Sequence, residues 1–439
     1  MRPFDLRRRQ AVIAAALGNG FEWYDFTIYA LFSIYIARAF FPGGGSTEEL
    51  VKALLAFGLG FVVRPLGALV LGIYGDVAGR KAVLSLTMGV MFAGTAILAF
   101  APTYAAIGAG APLIILAGRT LQGFSAGGEF GGAAAFLSEH GPPESRGETA
   151  SWLQASMGLS NIMGAVVAFA TTSLFTQAEI TRFAWRIPFL FGLLIAIAAI
   201  WMRRSLQETA EFSQNAHAAA RRSVFDGLRE LFTGNLPSLA RGVGLSVLIT
   251  VSSYVFVIFM PVYVQRTFHF SAREAFAASV VGNICLFASC IGSGALSDRI
   301  GRRTVLTAAA VVLAACGYPL LYLLQTVHAF AALMLAQTLF CIATGLFAGP
   351  APAALSECFA ASSRSVGVSV SYNIAVTVFS GFAPAALTWI SARGGGPLTP
   401  AWYLTFAAVL AAPAALSASG RTRPAEGSGV EAALEHQAR

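Results

Sequence analysis

The chain has 439 residues, of which 56% are apolar and only 11% charged. A soluble domain carries about 25% charged residues, so this composition excludes an ordinary soluble protein. The net charge of +8 does not call for nucleic acid, because the bases sort to one side of a membrane, as set out below.

Apolar runs of about 20 residues recur along the whole length, each long enough to cross a hydrocarbon core as a helix. Twelve fit, giving an all-α membrane protein. Span 1 covers about 11–35 and is followed by the outer loop Pro42-Gly43-Gly44-Gly45. Span 2 is about 50–74, span 3 about 83–103, span 4 about 111–138, span 5 about 149–175 and span 6 about 185–202. The polar segment 203–235, with Arg203, Arg204, Glu208, Glu211, Arg221, Arg222 and Glu230, reads as a linker. Span 7 is about 240–264, span 8 about 275–297, span 9 about 304–325, span 10 about 329–356, span 11 about 366–391 and span 12 about 401–418. The expected organisation is a six-helix half over 1–202, the linker 203–235, a second half over 236–418 and a polar tail over 419–439.

Twenty of the 29 bases fall on the side of Arg7, Arg8 and Arg9, seven fall on the other side, and Arg64 and Arg119 fall inside spans. The positive-inside rule then places both termini in the cytoplasm. The N-terminus shows bases before an apolar run without a clear small-residue cleavage site, so the first span is expected to stay. The five cysteines, Cys285, Cys290, Cys316, Cys341 and Cys358, lie in or at the ends of second-half spans without metal spacing or a disulfide framework.

A repeat relates the halves. Gly72-Ile73-Tyr74-Gly75-Asp76-Val77-Ala78-Gly79-Arg80-Lys81 returns as Gly294-Ala295-Leu296-Ser297-Asp298-Arg299-Ile300-Gly301-Arg302-Arg303, with acid, glycine and base each displaced by 222 residues. Each copy reads as a tight turn between spans, permitted by its glycine, with bases near anionic headgroups. Ser138-Glu139 with Arg146 returns as Ser356-Glu357 with Arg364, 218 residues on. Asp76, Arg80, Asp298 and Arg302 are therefore gating candidates, and solute chemistry is expected where the halves differ.

They differ in charge at membrane depth, where charge is costly and points to function. Span 1 holds Glu22 and Asp25 on one helix face, span 2 holds Arg64, and span 4 holds Arg119 and Glu129. Gln337, Leu286 and Phe347 stand at the repeat positions of Arg119, Arg64 and Glu129. Burial raises a carboxylate pKa and a nearby arginine lowers it, so Glu22, Asp25 and Glu129 are proton-coupling candidates. The alternative is that they neutralise Arg64 and Arg119 as static pairs. Second-half polar groups are milder and include Tyr254, Thr344, Tyr372, Asn373 and Ser380. Gly123, Gly127 and Gly131 in span 4 suit close helix packing. Pro350 and Pro352 break span 10. No phosphate-binding loop and no His-Glu-x-x-His occurs, so no cofactor or metal is called for.

With these residues in view, the chain resembles the metabolite:proton symporter family of the major facilitator superfamily. The carriers are Gly18-Asn19 with Glu22-Trp23-Tyr24-Asp25-Phe26, Phe61-Val62-Val63-Arg64-Pro65-Leu66-Gly67-Ala68, Gly118-Arg119-Thr120-Leu121-Gln122-Gly123 running to Gly128-Glu129, Trp185-Arg186-Ile187-Pro188-Phe189, and Arg203-Arg204-Ser205-Leu206-Gln207-Glu208-Thr209. Within it the chain is most similar to bacterial citrate–proton symporters, departing from them at Trp23-Tyr24. The sugar-porter Pro-Glu-Ser-Pro-Arg and drug-antiporter Gly-Pro-x-x-Gly-Gly motifs are missing, which favours symport of a small organic acid. The resemblance implies two pseudo-symmetric six-helix halves, no enzymatic activity, a monomer in the bacterial inner membrane, and proton coupling with sodium an open alternative. It carries over Glu22, Asp25 and Arg119 as coupling and binding candidates, and the substrate site is expected to draw on Arg119, Arg64, Gln122, Asn161, Tyr254, Tyr372 and Asn373. Other solutes, such as 2-oxoglutarate, shikimate, proline or betaine, and a non-transporting sensor on the same fold, are the alternatives to a citrate-like acid.

Overall fold

A computed structural model describes residues 22–78, 80–127, 130–131, 133–134, 137, 143–205, 236–360 and 363–419, with backbone only at 72–73, 75–78, 80–82, 84 and 198–205. Among these residues the regular structure is entirely helical. Helix α1 runs over residues 22–31 and, after a turn at Phe32, over Ser33–Phe40. The first half continues with α2 (Ser46–Ala78), α3 (Arg80–Phe100), α4 (Gly110–Ser125), α5 (Arg146–Leu174) and α6 (Ile187–Ser205). The second half comprises α7 (Leu236–Thr267), α8 (Ala272–Ile300), α9 (Arg302–Thr326), α10 (Phe330–Glu357), α11 (Arg364–Gly395) and α12 (Thr399–Leu416). Eight of the described helices are long and apolar enough to cross a membrane. Spans 1 and 4 extend into residues outside the description, as do the linker and the tail.

The helices carry outward apolar stripes. Leu55, Val62, Leu66 and Val70 are exposed along one face of α2, and Val311, Tyr318 and Tyr322 along one face of α9. Their spacing of four and seven residues keeps each set on one side of its helix, as a helix facing lipid requires. The opposite face of α2 turns Phe57, Phe61 and Arg64 inward.

The helices outrun the apolar runs that announced them, because their ends are polar. Span 8, read as about 275–297, begins at Ala272 behind a capping box in which Ser271 and Glu274 each satisfy the other's backbone N–H. It closes at Gly301, whose φ of +94° turns the chain directly into α9. Span 4 departs in the other direction. Its helix stops at Ser125, and a turn at Ala126 and Gly127 interrupts the run expected to reach 138.

Three further spans depart from regular α-helix among the described residues. Helix α10 is interrupted at Gly349 and Pro350 into Phe330–Ala348 and Ala351–Glu357. Helix α7 carries π-helix over Ser252–Phe259, and α11 over Val376–Ser380. The proline break was expected and the π stretches were not. Beside them Ser380 Oγ donates to Thr250 Oγ1 at 2.7 Å, tying α11 to α7.

The halves meet along two seams, α5 against α8 and α2 against α11. At the end bearing the repeat loops, Asp298 of α8 accepts the backbone N–H groups of Gly147 (2.8 Å) and Glu148 (2.9 Å), capping α5 of the other half. At the opposite end Arg266 Nη2 donates to Ser46 Oγ at 2.7 Å, and Phe32 stacks on Phe276. The bundle is thus held shut at both ends.

Candidate functional site

A small cavity lies between the halves, with room for about one water-sized molecule. The first half contributes Trp23, Gln154, Met157, Gly158 and Asn161, and the second contributes Ser253, Tyr254, Ile258, Leu286, Cys290 and Ala348. Its polar groups are few. Asn161 Oδ1 accepts from Thr27 Oγ1 at 2.7 Å, whereas Gln154 Nε2 has no hydrogen-bond partner among the described residues. Tyr254 leans into the first half, its ring 5.1 Å from Phe61 and 5.8 Å from Trp23.

Arg64 lies behind this wall. Its guanidinium sits 5.2 Å from the Trp23 ring and 5.6 Å from both Phe26 and Phe61. Nη2 donates to the Ala126 carbonyl at 3.1 Å, the turn that ends α4. Nε and Nη1 have no acceptor among the described residues. The hydroxyls of Tyr254 and Tyr372 border the same guanidinium. Rings that face a cation stabilise it without consuming its donors, so Arg64 is held in place with part of its fork unused.

Arg119 is fully buried and more completely engaged. Phe26, Tyr29 and Phe57 surround its guanidinium at 4.6–5.0 Å. Nη1 donates to Gln122 Oε1 at 2.7 Å and Nη2 to the Phe57 carbonyl at 3.2 Å. Gln122 Nε2 donates to Thr95 Oγ1 at 3.0 Å, and Thr95 Oγ1 donates in turn to Asp25 Oδ2. Arg119 and Asp25 are therefore joined through two neutral side chains. Among the described residues neither Arg64 nor Arg119 forms an ion pair with a carboxylate.

The structure divides the expected site residues into groups. Asn161 and Tyr254 line the cavity, and Arg64 adjoins it. Arg119, Gln122 and Asp25 form a buried line inside the first half. Glu22 is buried one helix turn before Asp25. Tyr372 stacks on Phe130 at 3.6 Å, and Asn373 Nδ2 donates to the Gly127 carbonyl at 3.4 Å, so both serve the contact between α11 and the end of α4. Gln337 stands where the repeat replaces Arg119, and donates to the Phe256 carbonyl at 3.2 Å. Asp298 and Arg302 form a network with Glu357, which Arg302 Nε approaches at 3.0 Å. Glu129 and the side chains of Asp76 and Arg80 lie outside the described residues. Thr95 and Gln154 were not singled out from sequence, and Trp23 was named there only within a family motif; neutral and aromatic side chains are frequent in spans and carry no charge signal.

Comparison with known proteins bears on the family and the fold. The family model described as Major Facilitator Superfamily matches residues 15–326. The chain is 34% identical to a citrate-proton symporter of Klebsiella pneumoniae over 399 residues, covering 91% of this chain and 89% of that protein. It is 32% identical to a proline/betaine transporter of Escherichia coli strain K12 over 424 residues, covering 92% and 82%. Among solved structures, a D-xylose-proton symporter superposes with a TM-score of 0.74 at 16% identity, covering 93% of this chain and 97% of that one. The last likeness concerns the fold alone.

Proposed function

The chain belongs to the major facilitator superfamily, and from that premise we propose that it imports a small organic acid, citrate or a related di- or tricarboxylate, together with protons. The halves 1–202 and 236–418 rock about the cavity between them, joined by 203–235. Both termini face the cytoplasm of a bacterial inner membrane, as the excess of bases on their side requires, and the working unit is one chain.

The observation that carries the anionic reading is Arg64. A guanidinium at the rear of the cavity whose Nε and Nη1 find no acceptor among the described residues has the planar fork that a carboxylate fills through two parallel hydrogen bonds. Arg119 supplies a second positive charge deeper in the same half. Asn161, Gln154 and Tyr254 can hold the remaining polar atoms of the solute. Tyr372 and Asn373 reach the site as α11 moves against α4. Asp25 is the proton carrier, with Glu22 and Glu129 as tuning acids. The likeness to the citrate-proton symporter supports both the solute class and the coupling ion.

A zwitterionic osmolyte is the second reading. The aromatic wall of Trp23 and Tyr254 could face a quaternary or secondary ammonium, and the proline/betaine transporter is similar over most of its length.

Purified protein in liposomes with an imposed inward proton gradient separates them. Labelled citrate should accumulate and labelled proline and betaine should not, and collapsing the gradient should abolish accumulation. Asp25→Asn should lose accumulation while keeping downhill exchange. Accumulation of betaine alone would replace the first reading with the second, and accumulation of neither class would remove both.

A further inference from the structure

We propose that Thr95 and Gln122 are positioning residues of the coupling step, forming a relay that reports the charge of Asp25 to Arg119. This rests on the reading of the chain as a proton symporter and deepens it by naming the path between the two charges.

The hydrogen bonds of the line all run one way. Arg119 Nη1 donates to Gln122, Gln122 Nε2 donates to Thr95, and Thr95 Oγ1 donates to Asp25 Oδ2. A chain of donors that begins at a cation and ends at an anion polarises each member in the same sense, and buried chains of this kind strengthen cooperatively. Its reach depends on local packing. Gly94 has no side chain where Gln122 passes: a Cβ there would lie 2.8 Å from Gln122 Cγ. Gln122 can therefore cross from α4 to Thr95 on α3.

The two oxygens of Asp25 have separate surroundings. Oδ2 takes the relay. Oδ1 has no hydrogen-bond partner among the described residues and faces α6 at Gly192, where a Cβ would come within 2.8 Å of it. Among the described residues the groups around this carboxyl are Thr95 from α3, Arg119 from α4, Tyr24 beside it on α1 with its hydroxyl turned to the Pro188 carbonyl, the buried acid Glu22 one turn before it on α1, and Gly192 from α6. Oδ1, buried and without a hydrogen-bond partner among the described residues, is thus the oxygen left to take a proton when the halves open, and Oδ2 is the oxygen that senses it.

The step is one proton transfer. An O–H bond forms at Oδ1, with water as the proton source and the proton returning to water when that bond breaks. Once Asp25 is neutral, Oδ2 is a weaker acceptor. The Thr95 hydroxyl then has a second acceptor waiting, the Met91 carbonyl at 3.1 Å. The line loses its anionic end, and Arg119 is left as a cation without a countercharge. A solute anion entering the cavity restores that balance. Proton and anion therefore favour each other's binding, and by linkage they do so to the same degree. That is the thermodynamic requirement of symport, met here by two neutral side chains.

The test is the pH dependence of citrate affinity, measured by direct binding to the full chain at an acidic and a neutral pH. The parent should bind about 10-fold more tightly at the acidic pH, within the usual range of coupling. Thr95→Val should flatten that ratio to about 2-fold or less, and Thr95→Ser, which keeps the hydroxyl, should restore it. Gln122→Met should flatten it as well, and it keeps the question answerable should Thr95→Val fail to fold. In infrared difference spectra the carboxyl band that Asp25→Asn removes should shift in Thr95→Val. If Thr95→Val and Gln122→Met keep the parental ratio, or if Thr95→Ser loses it as fully as Thr95→Val, the relay is wrong while symport stands. If the parent accumulates no solute with a proton gradient, the symport reading itself fails.

Discussion

Arg64 and Arg119 were conspicuous in the sequence for the same reason, a charge inside an apolar run, yet their surroundings differ. Arg119 spends its fork on Gln122 and the Phe57 carbonyl, inside a cage of Phe26, Tyr29 and Phe57. Arg64 has no acceptor for Nε and Nη1 among the described residues and lies beside Tyr254. Lysine at either position keeps the charge and loses the planar fork. Arg64→Lys is expected to weaken citrate binding about 10- to 100-fold, the size of one or two charge-assisted hydrogen bonds. Arg119→Lys is expected to weaken it by a similar factor, and Arg119→Gln by more, since the solute then lacks a countercharge in a desolvated site. Direct binding across pH distinguishes ligand from counterion. Should Arg119→Gln match the parent once the pH is lowered, Arg119 only balances Asp25, and Arg64 alone holds the carboxylate. The charges were legible because the bilayer makes them rare. Thr95, one hydroxyl in span 3, was not, because its importance comes from a contact between α3, α1 and α4 that no local pattern encodes.

Helices were legible as apolar runs, and their close contacts as glycine spacing. Gly123, Gly127 and Gly131 were expected to let backbones approach, and each does so against a particular neighbour. A Cβ on Gly123 would collide with the Gly60 carbonyl of α2, on Gly127 with the Arg64 carbonyl, and on Gly131 with the Ser365 carbonyl of α11. The first two set α4 against α2 at the depth of Arg64, so this packing holds the Ala126 carbonyl where Arg64 Nη2 reaches it. Gly123→Ala is expected to destabilise by about 1–3 kcal/mol through overpacking. Gly89→Ala in α3, where a Cβ would meet nothing within 4 Å, is expected to be neutral or to stabilise by up to about 1 kcal/mol. Thermal unfolding in detergent measures both, and equal midpoints for the two variants would remove the packing argument. The π stretches of α7 and α11 were not legible. A π turn is a one-residue slip of the helical ladder, and nothing in Ser252–Phe259 or Val376–Ser380 announces it as Pro350 announced the break in α10.

At the scale of the whole molecule, the second copy of the repeat of acid, glycine and base resolves into a clasp between halves. Asp298 ends α8 in the second half and accepts two backbone N–H groups from the first turn of α5 in the other half. A carboxylate there satisfies orphan donors and meets the positive end of the helix dipole. Arg302 holds the same carboxylate from within its own half at 3.4 Å and passes to Glu357, whose second oxygen accepts from Ser419 at 2.7 Å. Asp298 thus favours the arrangement in which the loop end is shut, and lies about two helical turns along α8 from Cys290 on the cavity wall. Asp298→Asn keeps the shape but removes the charge and one of the two acceptors. The loss expected of a weakened helix cap is about 1–2 kcal/mol, which moves a two-state equilibrium toward the open form by about 5- to 30-fold. Transport should slow because the closed form is less populated, whereas citrate affinity should change little. Asp76→Asn, at the matching position of the first repeat, should act in the same direction. Cys290 offers a native reporter, since it is buried, unpaired and on the cavity wall. Its alkylation by a small maleimide, followed by mass spectrometry of the labelled peptide, should accelerate in Asp298→Asn by the same factor as the equilibrium shift. An unchanged alkylation rate beside a strongly weakened citrate affinity would mean that Asp298 acts on the solute site and not on the opening of the halves.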